Sequence, residues 1–143
     1  MKQSALAVTA NEALSPAGFN QREAAFMYRV YGKAGMFCHF VAVDVPAALS
    51  SQDLDSRLKA LIHAHQSLRG YLVALEHTHA YVFHDAEYVE RQFQLQSIDL
   101  RKQDAHTQQQ ALARYWQDEA AKGFDLYQEL PLRAALALLA DGQ

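Results

Sequence analysis

Apolar residues recur three to four positions apart in some stretches of this chain and run continuously or alternate in others, and those changes of period predict its elements. Residues 1–13 are small and polar with no sustained period and read as a flexible leader. Leu14-Ser15-Pro16 then reads as a helix start, because serine can cap orphan amides and proline at the first helical position sacrifices no hydrogen bond. That helix is expected to reach about Tyr28 or Arg29, with Phe19, Arg22/Glu23 and Phe26/Met27 giving one stripe. Tyr31 to Gly35 breaks it. Met36 to Val45 is β-branched, aromatic and apolar on both faces except at His39 and Asp44, the pattern of a central strand ended by Pro46.

After Ser50-Ser51, Leu54, Leu58, Leu61, Ile62 and His65 follow helical spacing, with Asp53 and Asp55 in the first turn, His63, His65 and Arg69 toward the last, and Gly70 as the stop. Tyr71–Leu75 and Ala80–His84 predict two strands joined at Glu76 to His79, and Phe93–Ile98 predicts a third. A second long helix is expected over about 105–122, its face marked by Leu112, Tyr115, Trp116 and Glu119/Ala120, and Gly123 follows as the C′ residue. Leu132–Leu139 has helical propensity but the length and Asp-Gly terminus of a buried strand, and strand is the reading adopted. The order predicts an α/β fold, a mixed sheet with helices packed on it, without an internal boundary after the leader.

Composition narrows the function. At 143 residues, half hydrophobic and a fifth charged, the chain is long enough to bury a core. A formal charge of −3 with no basic run among aromatics excludes ordinary phosphate-backbone binding, so no nucleic-acid partner is expected. One cysteine, Cys38, permits no internal disulfide, and no apolar run reaches membrane-spanning length, which together predict a cytoplasmic protein without membrane contact.

Seven histidines raise the question of a metal. His63 and His65 are two apart on a helix and point to different faces, whereas helical zinc pairs want i, i+4. His77, His79 and His84 lack an acidic or thiolate partner at ligand spacing, so no metal is expected. Cys38 sits among apolar neighbours that disfavour a thiolate nucleophile. Asp53 with Asp55 and Glu87 with Glu90 read as solvated carboxylates. Arg69 stands where a helix gives way to a strand, and on residue chemistry alone it complements the helix C-terminus.

Three blocks in order, Leu14-Ser15-Pro16-Ala17, Ala64 to Arg69, and Phe124-Asp125-Leu126 with Pro131-Leu132-Arg133, resemble the first motifs of nonribosomal peptide synthetase condensation domains over about residues 14–142. Against the family motif RHExLRT, His65, Leu68 and Arg69 match, while Ala64, Gln66 and Gly70 replace its first arginine, its glutamate and its threonine. Phe124, Asp125, Leu126, Pro131 and Arg133 match its FDL…PLxR pattern. The resemblance implies the N-terminal lobe, over 14–143, of a chloramphenicol-acetyltransferase-like fold that forms an amide between a carrier-bound acyl thioester and an acceptor amine. It implies donor and acceptor carrier proteins and a C-terminal lobe as partners. Phosphopantetheine is expected on the carriers, with no cofactor bound directly.

The family's catalytic HHxxxDG motif lies on the loop after the second strand of a hairpin, and this sequence reaches Asp141-Gly142-Gln143, a hairpin turn signal, without it. No catalytic residue is therefore expected in these 143 residues, which should be inactive alone. Arg69 matches the arginine that pairs with the motif's aspartate and supports the catalytic loop. The strand over 132–139 should present an unpaired edge through which the chain self-associates. The divergent motif leaves two other readings, an HxxxD-type acyltransferase that forms esters, and a non-catalytic lobe that docks carrier proteins.

Overall fold

The computed structural model describes residues 15–32 and 38–140. Its elements are β1 (Ser15–Pro16), α1 (Phe19–Tyr31), α2 (Ser51–Ala64), a 3-10 turn (Gln66–Arg69), β2 (Gly70–Ala74), β3 (His79–Phe83), α3 (Ala86–Gln92), β4 (Gln96–Asp99), α4 (Ala105–Lys122) and β5 (Ala135–Leu138). The fold is mixed α/β, with its strands divided between two small sheets. One is antiparallel in the order β1-β3-β2, and the other is the parallel pair β4-β5. Parallel strands need a long crossover, and α4 supplies it between Asp99 and Ala135.

Each helix begins where a side chain takes up a free amide. Ser50 Oγ accepts from the Asp53 N–H at 3.0 Å, Asp85 Oδ1 from Tyr88 at 2.7 Å, and Asp104 Oδ1 from Thr107 at 2.9 Å. α4 ends as expected, at Gly123 with φ of 58°, a conformation that glycine adopts without a Cβ penalty. Two buried clusters carry the core. Ile62, Val89, Phe93 and Leu130 join α2, α3 and the segment before β5. Ala17, Ala25 and Leu72 join α1 to the antiparallel sheet, with Tyr81, Leu126 and Tyr127 packed against them.

Several sequence expectations fail for identifiable reasons. Ser15-Pro16 is not a helix start but a short edge strand antiparallel to β3, where proline is tolerated because no ladder amide is required of it. α1 starts at Phe19 instead, with Gly18 as N-cap and the Gly18 N–H donating to Gln21 Oε1 at 2.7 Å. Its stripe faces outward, Phe19 being 72% and Phe26 63% exposed, because the small Ala25 is what allows the helix to approach the sheet. α2 stops at Ala64, and residues 66–69 tighten into the 3-10 turn rather than continuing to Gly70 as helix.

Residues 38–45 form no strand, and positions 36–37 of that expected strand lie outside the described residues, as do the leader 1–13 and Asp141-Gly142-Gln143. The apolar run gains its ladder only from a neighbour, and among the described residues no edge receives it. Val41 and Val43 are left exposed while Phe40 stacks on Trp116 at 5.3 Å. The strand expected at 93–98 is displaced to 96–99, because Phe93 is the buried C-cap of α3, a helix the polar sequence around it concealed. The final strand is shorter than expected, 135–138 rather than 132–139.

Gly70 meets a constraint from the sheet. A Cβ there would stand 2.0 Å from the Tyr81 ring, whose hydroxyl donates to the Ser67 carbonyl at 3.2 Å. Gly70→Ala should destabilise the chain by about 1–3 kcal/mol, the scale of overpacking. Gly18→Ala, whose added carbon meets nothing closer than 3.5 Å, should cost less. Urea unfolding checks both, and in Gly70→Ala combined with Tyr81→Ala the losses should be less than additive.

Candidate functional site

The block at 65–69 is a bend built to aim one arginine. His65 caps α2 in extended backbone conformation, and its carbonyl accepts from the Leu68 N–H at 3.0 Å, which closes the 3-10 turn. His65 itself is exposed, while Leu68 is half-buried against the Ile62 cluster. Both therefore shape the bend. Arg69 is half-buried at its end, with its guanidinium carbon 6.0 Å from the centre of the Phe83 ring. Its Nη1 donates to the His84 carbonyl at 2.8 Å, and its Nε is buried without a hydrogen-bond partner among the described residues.

The second block, 123–133, is folded around Arg133. Nη1 donates to Glu119 Oε2 at 2.9 Å, and Nη2 donates both to Glu129 Oε2 at 2.8 Å and to the Gly123 carbonyl at 2.7 Å. The same guanidinium lies 4.2 Å over the Phe124 ring. Asp125 turns the chain between these anchors: Oδ1 accepts from the Tyr127 N–H at 3.0 Å, and its carbonyl accepts from the Glu129 N–H at 2.9 Å. Leu126 then completes the sheet, its carbonyl accepting from the Leu72 N–H at 2.8 Å on the side of β2 away from β3. Pro131 is exposed and follows the buried Leu130.

The two blocks meet. An apolar recess of about 150 Å³ lies between α1, the antiparallel sheet and the 124–131 turn, lined by Gly70, Leu72 and Tyr81 on one side and Phe124, Leu126 and Pro131 on the other. Just after β3 the imidazole of His84 is stacked between two phenols, 3.6 Å from Tyr88 at 3° and 4.3 Å from Tyr71 at 22°. Burial pushes His84 below the ordinary histidine value, against a hydrogen bond to the Gln128 backbone and the charge of Asp85. Sequence periodicity did not single out His84 for this site. The usable signal was the hairpin register, which sets His84 opposite Arg69.

The other candidates take structural roles. His63 Nε2 lies 3.0 Å from Glu90 Oε1, bracing α2 on α3, and His79 Nε2 lies 3.2 Å from the Tyr127 hydroxyl. Asp55 accepts from the Leu95 N–H at 2.9 Å and pairs with Lys59 at 3.0 Å, which holds its carboxyl below the usual range. Burial pushes the Cys38 thiol up, away from thiolate chemistry. Among the described residues no three His, Cys, Asp or Glu side chains group as metal ligands, and no helix is long and apolar enough to cross a membrane.

Arg133 is 21% and Glu119 15% exposed, so the clamp is substantially desolvated. Arg133→Lys supplies one point charge where a planar fork serves three acceptors. It should cost about 2 kcal/mol, below the 3–5 kcal/mol of breaking a fully buried pair. Arg133→Ala should cost more, and chemical denaturation with a Glu119→Gln cross checks the coupling.

Comparison with protein families matches residues 13–143 to the family described as Condensation domain. Comparison with curated proteins finds no match. The match takes in α1, the Arg69 bend, α4 and the Arg133 clamp, and on that extent the chain belongs to the condensation domain family.

Proposed function

We propose that these residues form the N-terminal part of a condensation domain that joins a carrier-bound acyl or peptidyl thioester to an acceptor amine. The amine nitrogen attacks the thioester carbonyl carbon, a C–N bond forms, the C–S bond breaks, and the donor arm leaves as a thiol that receives the amine's proton. In this reading both reactants arrive on phosphopantetheine arms of carrier proteins, in the cytoplasm, and the protein's work is proximity and proton handling. No side chain among residues 1–143 is assigned the base, because the HHxxxDG sequence that bears it in the family does not occur among them.

The observation that carries the reading, beside the family match, is Arg69. A guanidinium with one nitrogen bonded to a carbonyl and a buried Nε–H without a partner has a donor to spare for an acceptor outside the described residues. The aspartate of HHxxxDG is the acceptor proposed. In the intact protein, amide formation between loaded carriers, followed by mass spectrometry, tests the reaction. Arg69→Ala should reduce turnover and lower stability by about 3–5 kcal/mol if the aspartate is left buried and unpaired. Normal turnover and melting would return Arg69 to a helix-end cation. Ester formed in place of amide would favour the HxxxD-type reading, and carrier binding without product the docking one.

The 143-residue chain alone is proposed to be inactive and to self-associate through β5. That strand has β4 as its one neighbour among the described residues, and a strand edge with unpaired backbone groups is a template for pairing with another chain. Light scattering over a concentration series should show association, reduced in Leu136→Lys. A compact monomer unaffected by that substitution would refute the edge.

A further inference from the structure

We propose that His84 is the positioning residue of Arg69: its ring, clamped between Tyr71 and Tyr88, fixes the backbone carbonyl that holds the guanidinium with Nε–H unspent. The catalytic consequence rests on the function proposed above, whereas the positioning itself is a property of this chain.

The β2–β3 ladder ends with Gly70 opposite Phe83, and the next facing pair is Arg69 and His84. These two are bonded both ways. The His84 N–H donates to the Arg69 carbonyl at 2.8 Å, and Arg69 Nη1 donates to the His84 carbonyl at 2.8 Å. Among the described residues, the two buried side-chain polar atoms without a hydrogen bond are Arg69 Nε and His84 Nε2, so both fall on this one pair. A long arginine chain left to itself would rotate to hydrate a buried donor, because leaving it unmade is costly. Something must hold it.

The carbonyl of residue 84 can do so because its own side chain cannot move freely. Tyr88 and Tyr71 cover opposite sides of the imidazole, one from α3 and the other from β2. Tyr88 is itself tied down, its hydroxyl donating to the Gln128 carbonyl. The groups facing the ring are Tyr71 from β2, Tyr88 and Asp85 from α3 and its cap, the Gln128 backbone, and Arg69. Burial disfavours the charged ring, which keeps a second cation away from the guanidinium at neutral pH. The folded value lies below the unfolded one, so the ring's neutral contribution is present above the unfolded value and is lost as pH falls through the folded one.

Arginine Nε–H resonances of the 143-residue chain read the claim directly, with Arg69 assigned by its disappearance in Arg69→Lys. Solvent exchange at Arg69 Nε should be slow in the wild type and in His84→Phe, which keeps the stack. It should rise roughly tenfold or more in His84→Ser, the factor expected for losing one hydrogen bond to a charged group. Tyr71→Leu, which removes one side of the clamp, should act in the same direction and carries the test if His84→Ser does not fold. In the wild type, protection of Arg69 Nε relative to its intrinsic base-catalysed exchange rate should fall as pH drops through the His84 ring titration.

Unchanged exchange in the folded variants, or protection indifferent to the His84 titration, overturns the proposal. In the intact protein, His84→Ser should lower kcat with KM kept, and His84→Phe should restore it. Wild-type turnover in Arg69→Ala with the exchange pattern intact would refute the function assigned to Arg69 and leave its positioning by His84 standing.

Discussion

Arg133 is the constraint on which the second half of this fold depends. Its guanidinium draws together the last turn of α4, the Gly123 carbonyl, the Asp125 turn and the first residues before β5. Without that cation, Glu119 and Glu129 would repel across the space it fills, and the Gly123 carbonyl at the helix end would lose the donor it accepts from. The fork geometry matters as much as the charge, since three oxygens from three places on the chain are served by one rigid plane that also covers Phe124. The Phe-Asp-Leu and Pro-Leu-x-Arg blocks are thus two halves of one contact.

The consequences reach the antiparallel sheet. Because the 124–131 turn is held, Leu126 is available to accept from Leu72, and the β2 edge gains a backbone partner without gaining a strand. That edge is where the chain leaves the Arg69 bend. The apolar recess between the two blocks follows from the same geometry, with Gly70 bare because the Tyr81 ring occupies the space a side chain would need. Arg69 and Arg133 therefore differ in kind. Arg133 spends its donors on local acceptors, whereas Arg69 retains a buried donor.

What could be read from the sequence follows the range of the interactions involved. α4, its start near residue 105 and its Gly123 stop were legible because helix periodicity and a positive-φ glycine are both local. β2 and β3 were placed within a residue, since the alternation and the short turn between them are local too. α3 was hidden. Its seven residues bury only Val89, too few apolar positions to show a helical period. The strand expected over 36–45 failed on the opposite count, for the composition was right and the neighbour was not there to pair with it among the described residues.

The same distinction applies to the site. His65, Leu68, Asp125 and Arg133 were identifiable as motif residues, and each proves to act on the backbone within a few residues or through one clamp. His84 belongs to no block, since its importance comes from facing residue 69 across a hairpin and residue 88 across a turn. Motif matching detects residues that carry a role themselves. A ring that acts by immobilising its own carbonyl leaves its trace in geometry, and here that trace is a histidine packed between two phenols beside the one arginine whose Nε is buried and unspent among the described residues.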